Sequence, residues 1–388
     1  MGLTMGFEFV APRSIIFGNG SIEKIKAVAL EFGRKVLVVC GSGSVPMSKL
    51  FELLDEAAIT YQVFRVSDEP DIPTVEAGLS MAKSAGCVFV IGYGGGSVLD
   101  TSKAISALLT NTGDIMDYLE VIGGGKKITN PAAPMIALPT TAGTGTEVTR
   151  NAVISSPAHH VKVSMRSPLM VPRVAIVDPE LTMTMPPSIT ASTGMDALTQ
   201  NIEGYVSNKA NPMTDAFAKE GIKFGSQALL RAYQNGKDKH ARYDMALTSL
   251  YGGLVLGNGG LGAVHGFAGP IGGMFHAPHG LICASLLPYV MKYNALALAK
   301  LDGMEKIHSR YVDIARWVTG DPGASIADGV TWIAELSHQL DIPRLRDIGI
   351  KKSDFDRIIA KSKASSSMQK NPIKLDESVL AAVLEEAF

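Results

Sequence analysis

The segment VFVIGYGGGSVLDTSKAISAL, residues 88–108, starts as an unbroken apolar run, passes through Gly94, Gly95, Gly96 and Ser97, and continues with helical periodicity. An apolar run closed by glycines and followed directly by a helix reads as a buried strand of an α/β layer. The backbone amides of such a turn, backed by a helix N-terminus, form a site for a pyrophosphate, and glycines let the anion approach closely. The spacing is not the GxGxxG fingerprint of the common dinucleotide fold. A tight strand-to-helix turn is therefore the alternative reading of these four residues.

The same alternation recurs on both sides. KVLVVC (35–40), MIALPT (135–140) and RVAIVD (173–178) are apolar runs bounded by Gly, Pro or polar turns, while SKLFELLDEAAI and TVEAGLSMAKSAG carry helical periodicity. IFGNGSIEKI, near the start, reads as a strand, a turn and a helix entry. Strand and helix repeated in this way predict an α/β Rossmann-like domain with a mainly parallel, doubly wound sheet. A second polar loop, LPTTAGTGTEVTRNAV (138–153), also follows a strand and offers the hydroxyls of Thr140, Thr141 and Thr144 beside small residues. Two such loops after two strands of one sheet fit a crevice at the carboxyl ends of the strands, so a phosphate-bearing cofactor is expected there.

After VDPELTMTMPPSIT the character changes. Pro179, Pro186 and Pro187 punctuate the change, Ser188 or Thr190 is the expected cap of a new helix, and the rest of the chain is rich in helical patterns. The expected division is an α/β domain over 1–185 and an all-α domain over 186–388. In GMDALTQNIEGYVS (194–207), Asp196 and Gln200 lie four apart and share one face of a helix. Further on, His265 and His279 bracket a run rich in Gly and Pro. A carboxylate and neutral imidazoles suit divalent iron or zinc, although spacing alone does not bring residues 196 and 265 together.

Composition limits the alternatives. A chain of 388 residues has room for two domains, and 46% hydrophobic against 19% charged residues indicates a packed globular protein. A net charge of −1 without a basic stripe argues against nucleic acid or an anionic membrane as partner. Cys40, Cys87 and Cys283 form no CxxC pair, so neither a disulfide framework nor a thiolate metal site is expected. With no secretory signal evident at the start, the expected location is the cytoplasm. The apolar stretch GLICASLLPYVM (280–291) is too short to span a bilayer.

Several stretches in order resemble the iron-containing (group III) alcohol dehydrogenase family: IIFGNGSIEKI, GYGGGSVLDTSKA, PTTAGTGTEVTRNAVI, SPLMVPRVAIVDPELT, TASTGMDALTQNIEGYVS and GLGAVHGFAGPIGGMFHAPHG. The resemblance implies a dehydroquinate synthase-like architecture with the active site in the cleft between the domains, and a homodimer or higher homo-oligomer. It implies a metal-dependent oxidoreductase moving a hydride between NAD(P) and a small alcohol or aldehyde. It places Gly95, Gly96, Ser97 and Asp100 around the pyrophosphate and nicotinamide with Thr140, Thr141 and Thr144 beside them, and Lys162 on the cofactor site. Asp196, His265 and His279 match three of the four family metal ligands.

Two departures stand out: Gln200 occupies the place of the fourth ligand, a histidine, and Gly269 that of a further histidine four residues after His265. An amide oxygen at Gln200 would be a weaker donor, shifting preference from iron toward zinc or manganese. His276 becomes the candidate proton-moving group in place of a histidine at 269. NAD-specific relatives commonly carry an aspartate where Gly41 stands, whereas the turn Gly41, Ser42, Gly43 and Ser44 offers amides and hydroxyls for a 2′-phosphate, which favours NADP over NAD. The rival readings are a metal-free reductase of the maleylacetate reductase type, a lyase on the dehydroquinate synthase scaffold, and a non-catalytic pseudoenzyme.

Overall fold

The computed structural model describes residues 6–43, 46–159, 161–275 and 277–388. Its main sheet has six strands: β1 (Ser14–Phe17), β2 (Lys35–Gly41), β3 (Thr60–Val66), β4 (Phe89–Gly94), β5 (Met135–Pro139) and, after a separate antiparallel hairpin of β6 (Asn151–Ser156) and β7 (Val161–Arg166), β8 (Val174–Val177). The order is β1-β8-β5-β4-β2-β3, with every neighbouring pair parallel. Between the strands run α1 (Ile25–Leu30), α2 (Ser48–Glu56), α3 (Ile72–Ser84), α4 (Gly96–Thr110) and the short α5 (Ile115–Tyr118). Both faces are buried, as continuous apolar strands require. Leu37, Val39 and Val90 pack on α3 and α4, while Val36, Val38, Phe89 and Ile91 pack on α1 and α2.

The chain leaves β2 for β3 on one side and returns to β4 on the other, so strand order reverses between β2 and β4. A crevice opens at the carboxyl ends of strands at such a reversal. Register sharpens its geometry: Gly94 pairs with Pro139, so β4 and β5 end at the same level and their loops emerge side by side, joined by the Thr140 amide donating to the Gly94 carbonyl (3.0 Å).

Residues 178–186 carry the chain into helices α6 (Pro187–Val206), α7 (Pro212–Gln234), α8 (Lys239–Gly259), α9 (Ala263–Phe275), α10 (His279–Leu298), α11 (Glu305–Thr319), α12 (Ile326–Gln339), α13 (Phe355–Lys363) and α14 (Glu377–Ala387). Among the described residues, no strand lies beyond β8. Neither Ser188 nor Thr190 caps α6. Pro186 holds that place with Pro187 in the first turn, where a missing N–H costs nothing. Thr190 instead accepts from the buried Arg242 of α8 (2.9 Å), whose guanidinium also reaches the carbonyls of Met185 and Gly236 and ties the incoming chain to the helical layer. Helix α10 reaches 20 residues and is long and apolar enough to cross a membrane, but 61% of its most apolar window is buried, and it is a core helix of this half.

Candidate active site

Where strand order reverses, a cleft of about 520 Å³ opens, lined by Gly41, Ser42 and Gly43 from the end of β2, Ser67 and Asp68 beyond β3, and Gly94–Ser97 beyond β4. Thr140, Thr141 and Thr144 line it from beyond β5, and Met185, Ile189 and Thr193 close it from the helical half. No side chain caps α4, so its first amides are left to the cleft, and the helix dipole adds positive potential there. The glycines serve close approach: a Cβ on Gly96 would stand 2.8 Å from Cγ2 of Thr144. Gly145, at φ +60°, lets the threonine loop touch α8, where its Cβ would fall 2.4 Å from Cα of Gly253. This cradle of free amides and hydroxyls, too tight for side chains, fits a nucleotide pyrophosphate.

Two residues expected at the cofactor have other commitments. Asp100 is buried off the cleft lining and accepts from Thr146 Oγ1 (2.5 Å) and the Val153 amide (3.0 Å), with Lys103 Nζ 3.0 Å away. Lys103, fully buried, donates also to Thr146, Thr149 and the Asn151 carbonyl, so the pair fastens α4 to the threonine loop and to β6. Lys162 on β7 is likewise off that lining, with its ammonium on Glu69 (2.5 Å). Two further expected residues, Ser44 and His276, lie outside the described residues.

Deeper in the helical half, α6, α9 and α10 bring Asp196, His265 and His279 together. His265 Nε2 lies 3.2 Å and His279 Nε2 3.9 Å from Asp196 Oδ1. Nitrogen and oxygen donors bound to one tetrahedral zinc at about 2.0–2.2 Å stand roughly 3.3–3.6 Å apart, so this trio holds a divalent cation once His279 moves in by a few tenths of an ångström. Burial works against the Asp196 carboxylate, yet the His265 hydrogen bond and the two imidazoles hold its pKa below the ordinary aspartate value. Burial also opposes charge on His265, but the Cys283 sulfur, the Asp196 carboxylate and Glu203 around it hold its pKa well above the usual histidine value. Buried charges gathered so closely are retained where they are paired or ligate a metal.

Gln200 turns its amide nitrogen, not its oxygen, to Asp196 (Nε2 to Oδ2, 3.2 Å). Gly269 is exposed, and a Cβ built there meets nothing within 4 Å.

Two residues escaped the sequence reading. Glu203, one turn beyond Gln200 on α6, accepts from His265 Nδ1 (2.7 Å) and from the backbone amides of Val264 (2.6 Å) and His265 (3.3 Å). It thereby caps α9 and fixes the ring so that Nε2 points at the other donor atoms, ready to ligate once a cation displaces its proton. Its signal was the spacing 196, 200, 203, which is one helix face. Cys283, expected to take no part in a metal site, has its sulfur in the cluster: Asp196, His265, His279 and Cys283 each offer a donor atom, all within 4.8 Å of one another. Its signal was the four-residue step from His279 along α10. Burial pushes its thiol pKa up to about 12.

Two family descriptions cover nearly the whole chain: "Iron-containing alcohol dehydrogenase" over residues 12–179 and "Fe-containing alcohol dehydrogenase family, C-terminal" over residues 190–388. Alcohol dehydrogenase 4 of Schizosaccharomyces pombe is 35% identical over 386 residues, spanning 98% of this chain and 89% of that protein. The 1,3-propanediol dehydrogenase of Klebsiella pneumoniae is 34% identical over 395 residues, spanning 98% and 99%. A crystal structure of 1,3-propanediol oxidoreductase superposes with a TM-score of 0.92 at 33% identity, covering 99% of this chain and all of that one.

Proposed function

This chain belongs to the iron-containing alcohol dehydrogenase family, and from that premise we propose how its residues divide the work and which cofactor it prefers. It is a metal-dependent oxidoreductase that transfers a hydride between NAD(P) and a small alcohol/aldehyde pair. The observation that carries the reading is the donor trio Asp196, His265 and His279 beside a nucleotide-sized cleft. When bound, the cation supplies Lewis-acid polarisation of the substrate oxygen, and the nicotinamide carries the hydride.

The protein's own residues do the rest. The amides of Gly95, Gly96 and Ser97 take the pyrophosphate, with the hydroxyls of Thr140, Thr141 and Thr144 beside it. Asp100 acts indirectly, because its bonds hold the threonine loop in place. Asp196, His265 and His279 hold the cation, and Glu203 keeps His265 in the ligating tautomer. Proton movement is assigned to His276, three residues before His279 in sequence. His276→Ala then lowers kcat and shifts its pH profile while KM for the nucleotide stays put; an unchanged profile removes the assignment.

The preferred nucleotide is NADP. Gly41, Ser42 and Gly43 present amides and a hydroxyl at the end of β2, and the exposed Arg65 guanidinium sits 3.5 Å from the Gly41 carbonyl, where it can meet a 2′-phosphate. Asp68 on the same rim works against that phosphate, so the preference is moderate. The test is a panel of short aldehydes assayed with NADPH and NADH at 340 nm after loading iron, zinc or manganese. A higher kcat/KM with NADPH, falling in Arg65→Ala, supports the reading, whereas a strong NADH preference overturns it. The substrate class proposed is a small primary alcohol or its aldehyde. The three free, buried cysteines suit a cytoplasmic protein, and family membership supports a homo-oligomer.

A further inference from the structure

Where a fourth donor is expected, the structure turns Gln200 away. Its Nε2 faces two acceptors, Asp196 Oδ2 at 3.2 Å and the Thr144 carbonyl at 3.4 Å, which fixes the end of the amide that points toward the site. The other end, Oε1, lies beside Gly252 of α8, where an added Cβ would stand 2.7 Å from it, and it has no hydrogen-bond partner. To ligate, that oxygen would have to exchange places with the nitrogen and give up both bonds.

Cys283 stands where Gln200 does not. It is fully buried one turn along α10 from His279, with Sγ 3.7 Å from His279 Nε2 and 3.8 Å from His265 Nε2. A thiolate sulfur and an imidazole nitrogen on one tetrahedral zinc, at about 2.3 and about 2.0 Å, stand roughly 3.5 Å apart. Both observed separations come within a few tenths of an ångström of that value.

We propose that Cys283 is the fourth protein donor to the cation held by Asp196, His265 and His279, and that Gln200 is a positioning residue that fixes the Asp196 carboxylate. This rests on the metal reading given above. As the bond from Sγ to the cation forms, the thiol proton leaves to solvent, and the site gains one negative charge. A soft thiolate selects zinc or iron and disfavours manganese, which an amide oxygen would have admitted. Four protein donors remain compatible with turnover because such centres expand to five-coordinate.

Cobalt(II) tests the donor set without reference to activity. Enzyme stripped by a chelator and reloaded with cobalt(II) shows a thiolate-to-cobalt absorption in the near ultraviolet. Cys283→Ser loses that absorption while still binding one cobalt per chain, and Gln200→Ala keeps it. X-ray absorption of the zinc-loaded wild type, which needs no variant to fold, shows one sulfur at about 2.3 Å from zinc. Bound cobalt without thiolate absorption, or absorption that survives in Cys283→Ser, overturns the role of Cys283 and leaves the three-donor reading standing. Loss of the absorption in Gln200→Ala with cobalt still bound overturns the positioning role. Folded protein that takes up no cobalt overturns the three-donor reading as well.

Discussion

The cleft at the strand ends is made of short continuous segments, 94–97 and 140–144, that offer backbone amides and threonine hydroxyls. The donor cluster is made of single side chains on α6, α9 and α10, with Asp196 and His265 alone standing 69 positions apart in the chain. The first depends on where the backbone runs and on the absence of side chains; the second depends on particular atoms, Asp196 held by Gln200 and His265 by Glu203. Damage to the two regions should therefore differ in kind. Crowding the backbone weakens nucleotide binding by degrees, whereas removing a donor atom dismantles the metal site.

Asp196→Ala carries the largest expected effect. It removes the anionic donor, so bound metal is lost and kcat/KM falls by on the order of 10³ or more, in line with several kcal/mol of Lewis-acid assistance. Nucleotide affinity, read by fluorescence titration, stays near wild type. An equal fall in nucleotide binding would show that the regions are not separable. Glu203→Gln keeps the shape but weakens its hold on the His265 ring; competition with a chelator should show cation affinity lowered by about 10–100-fold. Unchanged affinity would leave Glu203 only its capping of α9. The smallest effect belongs to Gly96→Ala, whose Cβ presses on Thr144: KM for the nucleotide rises roughly tenfold, about 1.4 kcal/mol, with metal content unchanged.

The same contrast explains what could be read in advance. Buried strands such as KVLVVC announce themselves because both faces are covered, and glycine loops are continuous in sequence. Strand β3, TYQVFRV, was passed over because it lies at the sheet edge and alternates between exposed and covered residues. The hairpin β6–β7 was missed for a related reason: NAVISS and VKVSMR alternate across a two-stranded ribbon and lack a long apolar run. In the donor cluster, Asp196, His265 and His279 were legible through resemblance. Glu203 and Cys283 were not, because a lone acid and a lone cysteine acquire meaning only when helices far apart in sequence converge on them.

Gly269 has a consequence for engineering. It sits one turn after His265 on the same face of α9, exposed, and apart from its chain neighbours nothing lies within 4 Å of an added Cβ. Most positions around the donors are already crowded, so a replacement there would disturb the ligands themselves. Pro270 follows directly, and its ring crowds a Cβ on the preceding helical residue, so a replacement at Gly269 forgoes the usual helix-propensity gain of alanine over glycine. It is the vacant lot in a built-up district, where a side chain can be added one turn from His265 while the metal donors stay untouched.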